Sequence, residues 1–167
     1  QEKKKFKELA SVSAGLIVSI AIPCAFGMIV LANQAIILFS GREFLDAVPA
    51  TRILAVNLFF SAIDGYLGWQ ILVPNRKDKV LLGATIVGAI TDFVLNLFLI
   101  PAAGINGAAA ATLAAEGMVF IICLTSSVKY MEIRKFTIHL VKVVLASVPV
   151  FAVGKLVMTV TSSVLLS

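Results

Sequence analysis

Charged residues are scarce in this sequence. Asp, Glu, Lys and Arg together make up 14% of it, whereas soluble proteins contain about a quarter. The hydrophobic fraction is 60% and the mean hydropathy is +1.04. So few charges could not cover the surface of a soluble domain of this size. The composition therefore excludes an ordinary water-soluble protein and predicts an integral membrane protein.

Side chains that carry enzymatic chemistry or bind metals are also rare. The sequence has one histidine, and its two cysteines, Cys24 and Cys123, lie in separate apolar runs without a second ligand at metal-like spacing. It has no nucleophile elbow and no phosphate-binding glycine loop. We therefore predict no catalytic residue, no metal site and no cofactor, and we do not expect an enzyme.

The net charge of +5 does not indicate a nucleic-acid-binding protein. The basic residues form short clusters between apolar runs, not one stripe with interleaved aromatic residues. This pattern is typical of cytoplasmic loops beside anionic lipid headgroups. Membrane lipids, and not nucleic acids, are thus the expected partners of the basic clusters.

Long uncharged runs predict an all-α protein with about five transmembrane helices. We expect the spans at about 12–39, 53–73, 80–100, 107–128 and 139–164. Basic clusters precede the first span, separate the second from the third, and separate the fourth from the fifth. The other connections carry little positive charge, so the positive-inside rule predicts a cytoplasmic N-terminus.

Three acidic residues, Asp64, Asp92 and Glu116, lie deep inside the predicted spans. A charge at the bilayer centre costs at least about 2.5–3.5 kcal/mol on insertion scales, so such residues usually face a cavity or a partner. Asn96 shares a helix face with Asp92. One interpretation is a polar cavity for a substrate or a coupling cation. The alternative is an interhelical hydrogen bond made by a protonated acid, for example with Asn96 or Thr112.

Two arginines, Arg42 and Arg52, are expected at the outer ends of the first two spans. Either they bind a phosphate through bidentate hydrogen bonds, or they pair with the neighbouring acids Glu43 or Asp46. The sequence favours the ion pairs, because the acids lie so close along the chain.

Three further side chains are expected towards the inner interface. His139 is interpreted as a contact to lipid headgroups. Tyr66 and Trp69 are interpreted as part of an aromatic belt, and the alternative for them is a stacking surface for a sugar ring.

The run from Gln70 to Glu116 resembles the C-terminal half of bacterial polysaccharide flippases. The marks are a Gln-x-Leu-x-Pro end to one helix, a basic turn, an Asn-Leu-x-Leu-Ile-Pro exit, and then Gly-x-x-Gly-Ala-Ala followed by a Glu. These flippases translocate O-antigen and capsule repeat units. They belong to the MATE-like superfamily of multidrug, oligosaccharidyl-lipid and polysaccharide exporters.

This resemblance implies that the chain is most of the second lobe of a two-lobed transporter whose N-terminal lobe is missing here. The implied substrate is an undecaprenyl-diphosphate-linked oligosaccharide, moved across the bacterial cytoplasmic membrane by alternating access. Coupling would be to a proton or a sodium gradient. Asp92 stands where relatives often have a neutral polar residue, so the resemblance assigns it no substrate-binding role. A cation-coupled multidrug exporter, a lipid II flippase and a non-transporting membrane scaffold are the alternatives.

Overall fold

The computed structural model describes residues 2–134, 136–147 and 149 of the 167-residue chain. Most of these residues are helical, and none of them is in a strand. The long helices are α1 (Glu2–Phe39), α2 (Val48–Tyr66), α3 (Asp78–Ser127) and α4 (Phe136–Ser147). A π-helix, Leu67–Leu72, continues α2, and short 3-10 helices occupy Arg42–Ala47 and Val128–Tyr130. The chain thus has the all-α architecture of a polytopic membrane protein.

α1 is a single helix of 38 residues that passes through Pro23 without ending. At 1.5 Å per residue it is about 57 Å long, well beyond the thickness of a bilayer core. Its buried side is a stripe of mostly small residues that recurs at helical spacing and packs along α2: Ala10, Ala14, Val18, Ala21, Ala25 and Ala32. Small side chains allow the two helix backbones to approach closely.

α3 is a helical hairpin. Gly104 has φ 55 and ψ −132, which breaks the helix into a first arm (78–103) and a second arm (105–127). Only glycine adopts this backbone conformation readily. A Cβ atom on Gly107 would lie 1.9 Å from the carbonyl oxygen of Leu99. The chain therefore doubles back at once, and the two arms can pack against each other.

Contacts between the arms show that they run antiparallel. Gly88 on the first arm faces Val119 and Ala115 on the second. Thr112 bonds to Asp92, which lies closer to the tip of the hairpin. Each arm is longer than the roughly 20 residues that a membrane span requires. The hairpin therefore supplies two segments of membrane-crossing length.

By length and composition, three described helices can cross a membrane: Lys5–Phe39, Arg42–Leu72 and Asp78–Tyr130. The first four expected spans fall on α1, on α2 with its π-helix, and on the two arms of α3. The fifth expected span, 139–164, lies mostly outside the described residues. Its described part falls in α4, a shorter apolar helix.

α4 runs parallel to α1. His139 contacts Gly15 and Ser19, and Val144, farther along α4, shares an apolar groove with Phe26 of α1. The predicted topology requires this parallel packing. Three predicted spans (α2 and the two arms of α3) lie between α1 and α4 along the chain, so α1 and α4 cross the membrane in the same direction. Which end faces the cytoplasm stays a prediction.

The apolar core lies towards one end of the bundle. It joins the beginning of α1, the π-helix, the end of the second arm and the beginning of α4, with Ala14, Leu67, Leu72, Cys123 and Phe136 among its buried members. The three basic clusters adjoin these same segments in sequence. The fold therefore gathers them at one end of the bundle, which is the end that the sequence predicts to be cytoplasmic.

Candidate functional site

A cavity of 380 Å³ lies between α2 and the two arms of α3. The three acids identified in the sequence, Asp64, Asp92 and Glu116, all line it. Three hydroxyl residues also line it: Ser61, Thr85 and Thr112. The other lining residues are small or apolar: Gly65, Leu81, Gly88, Ala89, Ala115 and Val119. No lysine or arginine is among these lining residues. The cavity therefore brings three acids and three hydroxyl groups together in a bundle whose helices are otherwise apolar.

Helical periodicity explains why these residues meet. Each helix contributes positions spaced by three or four residues, so its lining residues share one face. On α2 the face begins at Ser61 and reaches Asp64 and Gly65. On the first arm it extends from Leu81 to Asp92. Glycine and alanine fill many of the remaining positions on these faces, and their missing side-chain volume leaves the space that the cavity occupies.

Asp92 makes an interhelical hydrogen bond. The hydroxyl group of Thr112 donates to Oδ1 of Asp92 at 3.2 Å, which connects the second arm to the first. Thr112 is one of the two partners that the sequence suggested for a purely structural acid. Because Asp92 also lines the cavity, the two interpretations of this residue are compatible.

Asp64 and Glu116 form a carboxyl pair across the interface of α2 and the second arm. Asp64 is 7% exposed, and it lines the cavity from α2 while Glu116 lines it from the second arm, so their carboxyl groups interact electrostatically. Two like charges this close disfavour each other in a membrane interior. The pair is therefore suited to hold a proton, or a cation placed between the two groups.

Asn96, the fourth predicted polar site, does not line the cavity. It lies one helical turn beyond Asp92 towards the hairpin tip, as Asn57 lies one turn before Ser61 on α2. The side-chain oxygens of both asparagines are buried and have no hydrogen-bond partner in the described part of the chain. They extend the polar faces of the two helices past the end of the cavity.

Arg42 and Arg52 are also outside the cavity. Arg42 begins the 3-10 helix before α2, and Arg52 lies in the first turns of α2; both are exposed. Twelve residues of helix, or about 18 Å, separate Arg52 from Asp64. The phosphate contact and the ion pairs considered for these arginines stay predictions.

Three lining hydroxyl groups were not among the predicted site residues: Ser61, Thr85 and Thr112. The sequence suggested Thr112 only as a hydrogen-bond partner of an acid, and helical spacing places Ser61 and Thr85 on the faces of Asp64 and Asp92. Ser61 lies three residues before Asp64, and Thr85 lies seven before Asp92. Serine and threonine are common in membrane helices as structural residues, so it is their place in the cavity, and for Thr112 its bond to Asp92, that identifies them as site residues.

The aromatic-belt interpretation is wrong for Tyr66. Its side chain is 3% exposed, and its hydroxyl group donates a hydrogen bond to the backbone carbonyl oxygen of Ala10. It therefore fastens α2 to α1 and reaches neither lipid nor the cavity. Trp69 is 71% exposed and does not line the cavity either. Its place in an aromatic belt stays a prediction, and a sugar-stacking role in this cavity has no support.

The headgroup interpretation of His139 is incomplete. Its Nε2 atom lies 3.1 Å from the hydroxyl oxygen of Ser19 and 3.1 Å from the carbonyl oxygen of Gly15. A carbonyl oxygen only accepts hydrogen bonds, so Nε2 carries the hydrogen atom. His139 thus connects α4 to α1 through the side of its ring that bears Nε2.

No protein-family model matches the chain. Among curated proteins, the chain is similar to the probable low-salt glycan biosynthesis flippase Agl15 of Haloferax volcanii. The two are 27% identical over 111 residues, which are 66% of this chain and 23% of the relative. Among solved structures, the chain is similar to the lipid II flippase MurJ in an inward closed conformation. That match has a TM-score of 0.77 and 20% identity and covers 90% of this chain and 32% of the other.

The structural match shows that the chain has the fold of the corresponding part of MurJ, and the sequence match gives a relative that is named as a flippase. The chain spans about a quarter of the curated relative and about a third of the solved structure. Neither match singles out the bacterial polysaccharide flippases. The curated relative is archaeal, so a bacterial cytoplasmic membrane stays an expectation for this multi-pass protein.

Proposed function

We propose that this chain is part of a flippase that moves a lipid-linked oligosaccharide across a membrane by alternating access. The observation that carries the proposal is the acidic, hydroxyl-lined cavity between α2 and the arms of α3, inside a MurJ-like fold. In this proposal the chain forms most of the second lobe of the transporter. A first lobe, outside this chain, completes the path of the substrate.

Two lipid-linked substrates are candidates. The curated relative is named for glycan biosynthesis and the structural relative for lipid II. The sequence resemblance to polysaccharide flippases favours an oligosaccharide repeat unit carried on undecaprenyl diphosphate. Lipid II is the second candidate, because the structural match extends over most of the chain.

The charge of the cavity suggests what its acids do. An anionic diphosphate is bound by cationic side chains or metal ions, and none of the lysines and arginines in the described part of the chain lines this cavity. Carboxyl groups at this place would repel a diphosphate. We therefore assign the acids to the coupling ion, a proton or a sodium ion. The Asp64–Glu116 pair and Asp92 are its proposed ligands.

Transport can be tested with the full-length protein reconstituted in vesicles that contain a fluorescent lipid-linked oligosaccharide. The measurement is the fraction of probe that reaches the outer leaflet with time. Asp64→Asn, Asp92→Asn and Glu116→Gln should each abolish most transport, because each removes an ionisable group from the cavity. Asp46→Asn is the matched control, since Asp46 is exposed and lies outside the cavity.

The same vesicles identify the ion and the substrate. Collapse of a pH gradient should stop a proton-coupled protein, and removal of sodium should stop a sodium-coupled one. Fluorescent lipid II, offered in parallel, decides between the two substrates. Export of a cationic dye with no movement of either lipid would indicate a multidrug exporter instead. If the wild-type protein moves none of these probes, the chain belongs to a scaffold and the proposed function is wrong.

A further inference from the structure

The helix type changes directly after the part of α2 that lines the cavity. α2 is α-helical as far as Tyr66, and Leu67–Leu72 then form a π-helix. The N–H group of Val73 donates to the carbonyl oxygen of Gly68, five residues earlier, at 3.0 Å. π-helices are rare, and they occur mostly as single turns inside α-helices, frequently at functional sites. This one directly follows Asp64 and Gly65, which line the cavity.

Packing holds the π-helix on one side only. Leu67, Ile71 and Leu72 are fully buried. A Cβ atom on Gly68 would lie 2.6 Å from a methyl carbon of Leu81 on the first arm of α3. By contrast, Trp69 is 71% exposed. The extra residue that widens the turn therefore lies on the outside, where the protein can gain or lose it without disturbing the core.

We propose that the Leu67–Leu72 π-helix is the element by which α2 changes register against α3 between two transport states. Conversion of one π turn to an α turn shifts the adjoining helix by one residue, which is a rotation of about 100° and a translation of about 1.5 Å. The π-helix is packed against the first arm of α3 and keeps its position there. The part of α2 before it, which lines the cavity, is therefore the part that moves. Asp64 leaves Glu116, and the cavity opens between α2 and the second arm.

This inference rests on the proposed transport function, because only a protein with alternating states uses such a shift. The π-helix with the Asp64–Glu116 pair closed is one state. An α-helix with the pair separated is the other. Exchange between the π-helical and α-helical states lets the coupling ion reach the Asp64–Glu116 pair in one state and prevents it from reaching the pair in the other.

Deletion of Trp69 tests the proposal. A π turn contains one residue more than an α turn, so the deletion converts it to an α turn while the helix segments before and after it keep their positions. We expect the deletion variant to fold, with a thermal midpoint at or above that of the wild type. Transport should fall by about tenfold or more, since the register shift that each turnover needs is blocked. Trp69→Ala keeps the π turn and should transport at nearly the wild-type rate.

Deletion of Leu58 is the matched control for stability. Leu58 is 42% exposed and lies in the α-helical part of α2. Its loss rotates the part of α2 before the deletion relative to the part after it, which misplaces buried side chains and should lower the thermal midpoint strongly. If deletion of Trp69 destabilises the protein as much as deletion of Leu58, or if it leaves transport unchanged, the proposal is wrong.

A distance measurement separates this proposal from the proposed function. Spin labels at Leu58 on α2 and Ile86 on the first arm should give two distances in the wild type and one in the Trp69 deletion variant. Two distances without transport of any lipid probe would support the register shift and refute the flippase. A single wild-type distance, together with active transport, would refute the register shift and leave the flippase standing.

Discussion

Replacement of Gly88 by alanine should separate the two arms of the α3 hairpin. The added methyl group would lie 2.4 Å from the Cγ2 atom of Val119 and 3.7 Å from the carbonyl oxygen of Ala115. Carbon atoms in contact are normally about 3.5–4.0 Å apart, so the arms must move apart by about 1 Å at this point. Val119 cannot easily turn aside, because a β-branched side chain in a helix has one strongly preferred rotamer.

Overpacking of this kind costs about 1–3 kcal/mol of stability. For a chain of this length, each kcal/mol lowers the unfolding midpoint by about 2–4 °C. The hydrogen bond between Thr112 and Asp92, 3.2 Å long, lies one helical turn farther along the same interface. It should lengthen or break as the arms separate. Gly88→Ala should therefore weaken transport as well as stability.

Thermal unfolding of the purified protein in detergent checks this reasoning, with Gly83→Ala as the control. A Cβ atom on Gly83 would have no neighbour within 4 Å. That substitution should stabilise the helix by about 0.4–1 kcal/mol, because alanine loses less backbone entropy than glycine on folding. Val119→Ala, combined with Gly88→Ala, should recover much of the lost stability. Equal stability of the two glycine variants, or no recovery in the double variant, would refute the packing argument.

Two other predictions concern local features, the backbone of Arg76 and the hydrogen bond of Tyr66. Arg76 has φ 56 in the turn between the π-helix and α3, a left-handed conformation that costs a residue with a side chain about 1–2 kcal/mol. Arg76→Gly should raise the unfolding midpoint and Lys77→Gly should lower it, because Lys77 has φ −110; the opposite order would contradict the assignment of strain to Arg76. Tyr66→Phe removes the hydrogen bond to Ala10 and should cost about 1 kcal/mol in thermal unfolding. Its transport rate should not fall as it does in the cavity-acid variants, because Tyr66 does not line the cavity. A transport defect at full stability would show that the buried ring has another role.

Much of the site could be predicted because an acid inside an apolar helix is a strong local signal. Asp64, Asp92 and Glu116 each stand out against uncharged neighbours, and the cost of burying a charge in lipid explains why. The helix face of Asp92 could be read in the same way, since it depends on spacing along one helix. The prediction was weaker for Asn96, which lies on this face but beyond the end of the cavity. The spacing of residues along a helix shows which face they share, but it does not show how far along that face the cavity extends.

The sequence did not show whether amphipathic side chains such as those of Tyr66 and His139 face lipid headgroups or a neighbouring helix. Tyr66 and His139 have the composition of interfacial residues, and each was interpreted as one. In the structure each makes a contact to α1 that is more than 50 positions away in the chain. A tyrosine or histidine near a helix end has the same local pattern whether it faces headgroups or a neighbouring helix. Long-range packing decides between the two.

The amino-acid sequence by itself determined that the protein is helical, that it is embedded in a membrane, and that acids interrupt its apolar segments. These properties follow from local composition, because lipid admits helices and penalises charge residue by residue. Only the tertiary structure decided that the three acids share one cavity. Asp64 and Glu116 line the same cavity because the close approach of Gly68 to Leu81 and of Gly88 to Val119 sets the register of α2 and of the two arms. The π-helix beside them is likewise a product of packing, since nothing in the composition of Leu67–Leu72 distinguishes it from an ordinary α-helix.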